Sequence, residues 1–300
     1  MKMNLKLLTA YSSIFSFSLL FFGCGNSNTS DTEVVSGSDT AQNRAKNTKA
    51  QEVFYSIPSP IETISLLKAA GAKYNASYLN PIENVSKYTT VTSKALNLGT
   101  YGSDLSFTSM FDQTQESMLY LRCANKLAAG LGINGAFNET TANRLESNVQ
   151  NRDSLLAIIS DSYWTTDAYL KDNGQPGVSA LIVAGGWIEG LYIGTQIAHT
   201  TQNKDVISRI GEQKLSLENL IALLESYKAD NAGIVAVLGS LNELKDIYNT
   251  IPTTTGETQA VTDKKTSTTT LDNGSNYSLT ADKLEEISNK VAQIRKKVIQ

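Results

Sequence analysis

Residues 178–198 read VSALIVAGGWIEGLYIGTQIA, 21 residues with no basic side chain and one acid, Glu189. A run of this length suits a membrane span, the centre of a protein core, or a helix that carries a carboxylate to a site. The span is the poorest fit. Glu189 would sit at mid-bilayer, which is costly unless it is paired. The nearest basic residues, Lys171 and Lys204, stand too far off to flank a span closely. A helix that is apolar all round belongs in the core of a larger domain. Gly186, Gly190 and Gly194 recur at four-residue steps and so share one side of the helix. Their missing side chains are expected to admit a neighbouring helix at close range. The cost is about 1 kcal/mol per glycine relative to alanine, which packing or a ligand must offset.

Glu189 then needs an account. Three and four residues away stand Gly185, Gly186, Tyr192 and Ile193, none of them a cation. A buried, unpaired carboxylate is expensive and tends to hold a proton. Two roles stay open: a structural acid satisfied by Arg, Lys or Tyr from another helix, or a catalytic or ligand-binding acid facing a cavity.

The surrounding chain is helical in pattern. Ser59-Pro60-Ile61-Glu62 has capping-box spacing with proline at the first helical position, and Gly71 ends the helix that follows. A short helix is expected from Pro81 and a third across 90–111. Asp112 to Gln115 repeats the capping spacing and is expected to start a fourth. Asn138 caps the next, and another helix is expected from Asn151 to Leu170. Helices near 204–228 and 232–249 are joined through Asp230-Asn231, which implies an antiparallel hairpin. No hairpin signal for strands is apparent. The expected fold is all-α, a bundle-like domain of about eight helices over 54–251 with a buried central helix.

Residues 252–277 are rich in Thr, Ser, Asn and Asp and read as a flexible linker. Beyond it, 278–300 read as an amphipathic helix capped by Thr280. Its apolar residues Leu284, Ile287, Val291, Ile294 and Val298 step by three and four, as in a coiled-coil seam. Such a seam either docks on its own domain or zips onto a protein partner or second copy.

The N-terminus carries an address. Lys2 and Lys6 precede the apolar LLTAYSSIFSFSLLFF, which ends at Gly23-Cys24. Residues 1–23 read as a lipoprotein signal peptide, with Cys24 as the lipidated residue and the membrane as partner. Residues 24–53 read as a flexible tether, with a mean reach of roughly 30 Å. This points to an outer-membrane lipoprotein, with the periplasmic or surface face left open. With Cys24 lipidated, Cys123 has no disulfide partner and reads as a small apolar core group.

Composition removes several function classes. The 300 residues carry a net charge of −3, with 41% hydrophobic and 18% charged side chains. That supports a core and leaves no basic footprint for nucleic acid. One histidine, His199, supplies no cluster for a metal, and phosphate-loop and G-x-S-x-G motifs are absent. No cofactor and no metal are expected.

The remaining site candidates are acids and aromatics. ALNLGTYGSDLSF at 95–107 overlays ALIVAGGWIEGLY at 180–192 without gaps, which sets Asp104 against Glu189. If the overlay is a pseudo-repeat, each half contributes one acid to the middle. Asp161 and Asp167 lie among aromatics that include Trp164, and Trp187 precedes Glu189 by two residues. Acids beside aromatics suit sugar or amine sites, and they also occur on ordinary surfaces. The segments SIPSPIET, LNPIENVSKY, LNLGTYGSDL and AGGWIEGLY, under a lipoprotein signal, resemble an uncharacterised family of envelope lipoproteins of Bacteroidota-type bacteria. The resemblance covers roughly 54–250 and implies an address and no mechanism. The favoured reading is a non-enzymatic binding or scaffold domain. The alternative is a hydrolase or a sugar-type binding protein using Asp104 and Glu189 as buried carboxylates.

Overall fold

In the computed structural model the described residues are 57–133, 139–148, 150–255, 259–263, 268–272 and 275–300. The signal segment 1–23, Cys24 and the tether over 24–53 lie outside them. The helices are α1 (Pro60–Ala69), α2 (Val91–Met110), α3 (Thr114–Gly130), α4 (Glu139–Ser147), α5 (Arg152–Asp172), α6 (Pro176–Thr201), α7 (Lys204–Ser226), α8 (Ala232–Asn249) and α9 (Ala281–Ile299). Two 3-10 turns, Ala76–Tyr78 and Ile82–Ser86, join α1 to α2. The domain is all-α and packs around one central helix, α6.

Local chemistry sets most boundaries. Ser59 and Glu62 form the reciprocal box at α1, with Ser59 N–H donating to Glu62 Oε2 at 2.7 Å. Asn151, Asn203, Asn231 and Thr280 cap α5, α7, α8 and α9 with their side-chain oxygens. Each cap of this kind contributes about 1 kcal/mol. Gly71 takes φ +86° just past α1, where a Cβ would strain the backbone. The box expected at Asp112–Gln115 does not form. Asp112 instead adopts φ +59°, and Gln113 precedes α3 without a side-chain cap bond. The tight α2–α3 turn uses Asp112 for its left-handed residue, and from there the carboxylate faces Lys68 and Arg152.

Helix α6 is long and apolar enough to cross a membrane by length and composition, yet 94% of its apolar window is buried inside the domain. Its most extensive partner is α2. Helix α7 packs beside it, α1 crosses both α2 and α6, and α5 and α9 cover further flanks. The expected glycine stripe does meet a helix: Pro60, Thr63 and Leu67 of α1 lie against Gly186, Gly190 and Gly194. The closest backbone approach is elsewhere. A Cβ on Gly185 would overlap the Leu96 carbonyl oxygen, and one on Gly99 would overlap the Ile182 carbonyl oxygen. The α2–α6 contact is therefore backbone against backbone at these two glycines, which explains glycine in two helix interiors.

The segment read as a flexible linker, 252–277, holds two antiparallel strand pairs. Strand β1 (Thr253–Thr255) pairs with β4 (Ser275–Tyr277), and β2 (Gln259–Asp263) pairs with β3 (Thr268–Asp272). Threonine is β-branched and favours extended backbone. A two-stranded arm needs no buried face, so no hydrophobic alternation marks it in the sequence. At the foot of this arm Tyr277 packs against α7, where Gly211 leaves room for it.

Helix α9 returns from the arm and packs on α6, α8 and α2. Leu284, Ile287, Val291, Ile294 and Val298 are all buried by their own chain, and so are Ser288 and Arg295. The buried face is thus wider than a two-position seam, and it has a charged residue in it.

Candidate functional site

Glu189 and Asp104 meet at the centre, both wholly buried, one from each of the two most closely packed helices. Arg295 of α9 reaches them from the far end of the chain. Its Nε donates to Glu189 Oε2 and its Nη2 to Oε1, each at 2.7 Å. The same Nη2 donates to the Tyr78 carbonyl at 3.0 Å. Tyr192, one turn beyond Glu189, places its ring 4.1 Å from the guanidinium carbon. This two-pronged, stacked geometry is specific to arginine. Burial works against the Arg295 charge, but the Glu189 carboxylate outweighs it and raises the Arg295 pKa above its ordinary value.

Asp104 behaves differently from its neighbour. Burial first, and the Glu189 charge second, hold its carboxyl well above the usual carboxylate range; Arg295 and the Asn80 N–H pull the other way. Its Oδ2 accepts from Asn80 N–H at 3.2 Å, while Oδ1 is buried with no hydrogen-bond donor facing it. A carboxyl held above its usual range keeps its proton to higher pH, and the protonated form is a hydrogen-bond donor.

The surrounding amides lock α9 in place. Asn80, itself wholly buried, donates to Tyr88 Oη at 3.0 Å. Tyr88 Oη in turn donates to the Ile299 carbonyl, and Asn97 Nδ2 donates to the Val298 carbonyl at 2.8 Å. These are end carbonyls of α9 that lack partners within the helix, and the domain supplies them.

Neither central acid lines the opening beside the α2–α6 contact. That opening is a groove, continuous with solvent and lined by residues of α1 through α6. Its walls are mainly apolar, with Leu98, Leu105, Leu145, Ile159, Ile182 and Val183 prominent. Most of its polar side chains already have partners. Ser106 donates to the Gly102 carbonyl and Ser162 to the Ile158 carbonyl. Ser179 donates to Asp167 Oδ1 at 2.6 Å, and Lys171 donates to Asp167 Oδ2 at 2.8 Å. Tyr163 also lines the groove, and its phenol pKa is raised by burial and then by the Asp167 and Glu62 charges.

The six candidates read from the sequence therefore divide. Asp104 and Glu189 share the closed centre. Asp167 lines the groove. Trp164 stands beside it, edge-on to Tyr163 with ring centroids 5.3 Å apart. Asp161 is exposed, and Trp187 is buried in the core with Nε1 donating to Ser216 Oγ at 2.8 Å. His199 sits in the last turn of α6 and faces Glu285 of α9 at 3.6 Å. Cys123 is buried, and burial followed by the Asp104 charge pushes its thiol up to about 11. No group of three or more potential metal ligands occurs among the described residues.

Sequence reasoning passed over Arg295, Asn80 and Gly102. Arg295 had a signal: it lies four residues after Val291 and three before Val298, on the apolar face of its helix. Asn80 lies in a loop and had none. The chain matches no protein-family model, no curated protein and no solved structure.

Proposed function

We propose that this chain is a membrane-anchored lipoprotein of the bacterial outer envelope whose helical domain is a non-enzymatic binding module, with the α1–α6 groove as its binding face. One observation carries the reading. The central acids are closed off, with Glu189 paired to Arg295, while the described groove is mainly apolar and its Ser106, Ser162, Ser179 and Asp167 side chains are already hydrogen-bonded. A general acid or base must come within hydrogen-bond reach of its substrate. Asp104 and Glu189 have no such access, so a hydrolase built on them loses support. A sugar site also loses support, since sugars require hydroxyls and carboxylates still able to bond.

The address rests on Lys2, Lys6, the apolar run before Gly23 and Cys24 itself. The resemblance to envelope lipoproteins supports the same address. Labelling cells with radioactive palmitate tests it: the wild-type chain should take up label and sediment with membranes, and Cys24→Ser should do neither. Binding is tested by native mass spectrometry of the purified Cys24→Ser full chain. A retained small molecule of defined mass supports the module. A chain that stays empty after exposure to a total envelope extract contradicts it.

A further inference from the structure

We infer that the groove takes a single acyl chain of a neutral-headed membrane lipid. This rests on the reading of the groove as the binding face and names the class of its ligand.

Four observations converge. The groove opens to solvent, and its walls are mainly apolar, with leucine, isoleucine and valine side chains prominent. The walls offer little hydrogen bonding, because Ser106, Ser162 and Ser179 already donate to protein acceptors and Asp167 is held by Ser179 and Lys171. An occupant that needs many polar partners, such as a sugar, a nucleotide or an extended peptide backbone, would leave its own groups unsatisfied there. A hydrocarbon chain asks for none.

Gly102 supplies the third observation. It lies inside α2 and lines the groove, and a Cβ built on it would meet nothing within 4 Å. Gly99 and Gly185 are explained by backbone contact, but a side chain at Gly102 would touch nothing. Its missing side chain only keeps the groove open.

Charge selects the head group. Among the described residues no Lys, Arg or His lines the groove, and its one acid, Asp167, is already paired with Lys171. A free fatty-acid carboxylate would find no cation to pair with there, and an esterified chain on a zwitterionic or uncharged head needs none. The geometry also suits a lipid source. Ser59, Pro60 and Ile61 line the groove, and the chain that enters at this rim leads back to Cys24 through residues 25–56. A chain anchored at Cys24 would join the domain at the mouth of the groove.

The experiment uses the Cys24→Ser full chain and phosphatidylcholine vesicles that contain a phosphatidylcholine with a pyrene-labelled acyl chain. Pyrene excimer emission falls as labelled lipid leaves the vesicle for the protein. The expected result is transfer that saturates at one lipid per chain and drops at least tenfold in Gly102→Leu. Leucine there should fill the groove while leaving the far-ultraviolet circular dichroism and Tm no worse than before. Transfer that persists in a folded Gly102→Leu places any lipid elsewhere and overturns the inference. No transfer, with an uncharged apolar dye still bound and then lost in Gly102→Leu, overturns the acyl chain and keeps the binding module. Failure of both lipid and dye overturns both. A pyrene-labelled free fatty acid that binds more tightly than the ester overturns the choice of head group.

Discussion

Replacing Arg295 with methionine isolates the central cluster. Methionine keeps most of the length and apolar stem of arginine but removes both bonds to Glu189 and the bond to the Tyr78 carbonyl. Glu189 is wholly buried, and none of its own-helix neighbours is a cation, so its charge would stay unpaired. Breaking a buried pair on one side costs about 3–5 kcal/mol, against a total stability of about 5–15 kcal/mol. With a urea slope of about 3 kcal/mol per molar for a domain of this size, the unfolding midpoint should fall by roughly 1–2 M. Adding Glu189→Gln removes the orphaned charge, and the double variant should recover at least half of the loss. Urea unfolding followed by circular dichroism gives the complete cycle. If Arg295→Met lies within about 0.5 kcal/mol of wild type, or if the two losses simply add, the pair does not clasp α9 to the core.

Further outcomes follow from the same packing. Gly185→Ala should destabilise by about 2–3 kcal/mol, because its Cβ collides with the Leu96 carbonyl; Gly190→Ala, which meets only Thr63 Cγ2 at 3.4 Å, should be neutral or stabilising by up to about 1 kcal/mol. Thermal and urea unfolding of the two variants side by side checks the contrast. Asp104→Asn should flatten the pH dependence of stability. The Asp104 pKa is raised on folding, so its contribution is full below the unfolded carboxyl pKa near 3.8 and is lost as pH rises toward the folded value. The advantage of Asp104→Asn over wild type should therefore grow as pH rises above the unfolded value, by at most about 1.4 kcal/mol per pH unit; equal slopes would contradict a raised Asp104 pKa. In the Cys24→Ser chain, Cys123 should resist Ellman's reagent at pH 8 until the protein unfolds, because its thiol is buried and its pKa stands near 11.

Local signals made the helices legible. The Ser59 box, the Thr280 cap and the apolar surface of α6 are written within a few residues of where they act. Asp112 shows the limit of such signals: its spacing matches a capping box, but the turn after α2 needed a left-handed residue more. The β arm escaped because polar strands in an isolated pair carry no alternation to read. The glycine stripe gave the right helix and a weaker contact, since spacing alone cannot say which glycine faces a backbone. The overlay of 95–107 on 180–192 set Asp104 against Glu189, and the two do lie together. Their partner was harder to see, because Arg295 is 106 residues from Glu189 and a three-and-four apolar count leaves charged residues out of the face. The groove has the least sequence signature of all, as it is built from small contributions of six helices.

The account turns on α9 being an integral part of the core, held by Arg295 and by the side chains that receive its last carbonyls. Native-state amide hydrogen exchange on the full Cys24→Ser chain measures this directly. Amides of α9 from Ile287 to Val298 should exchange only through global unfolding, with the same protection as those in α2 and α6. Exchange in α9 that is faster by a hundredfold or more, with α2 and α6 still protected, would show a helix that leaves the domain and would contradict the account.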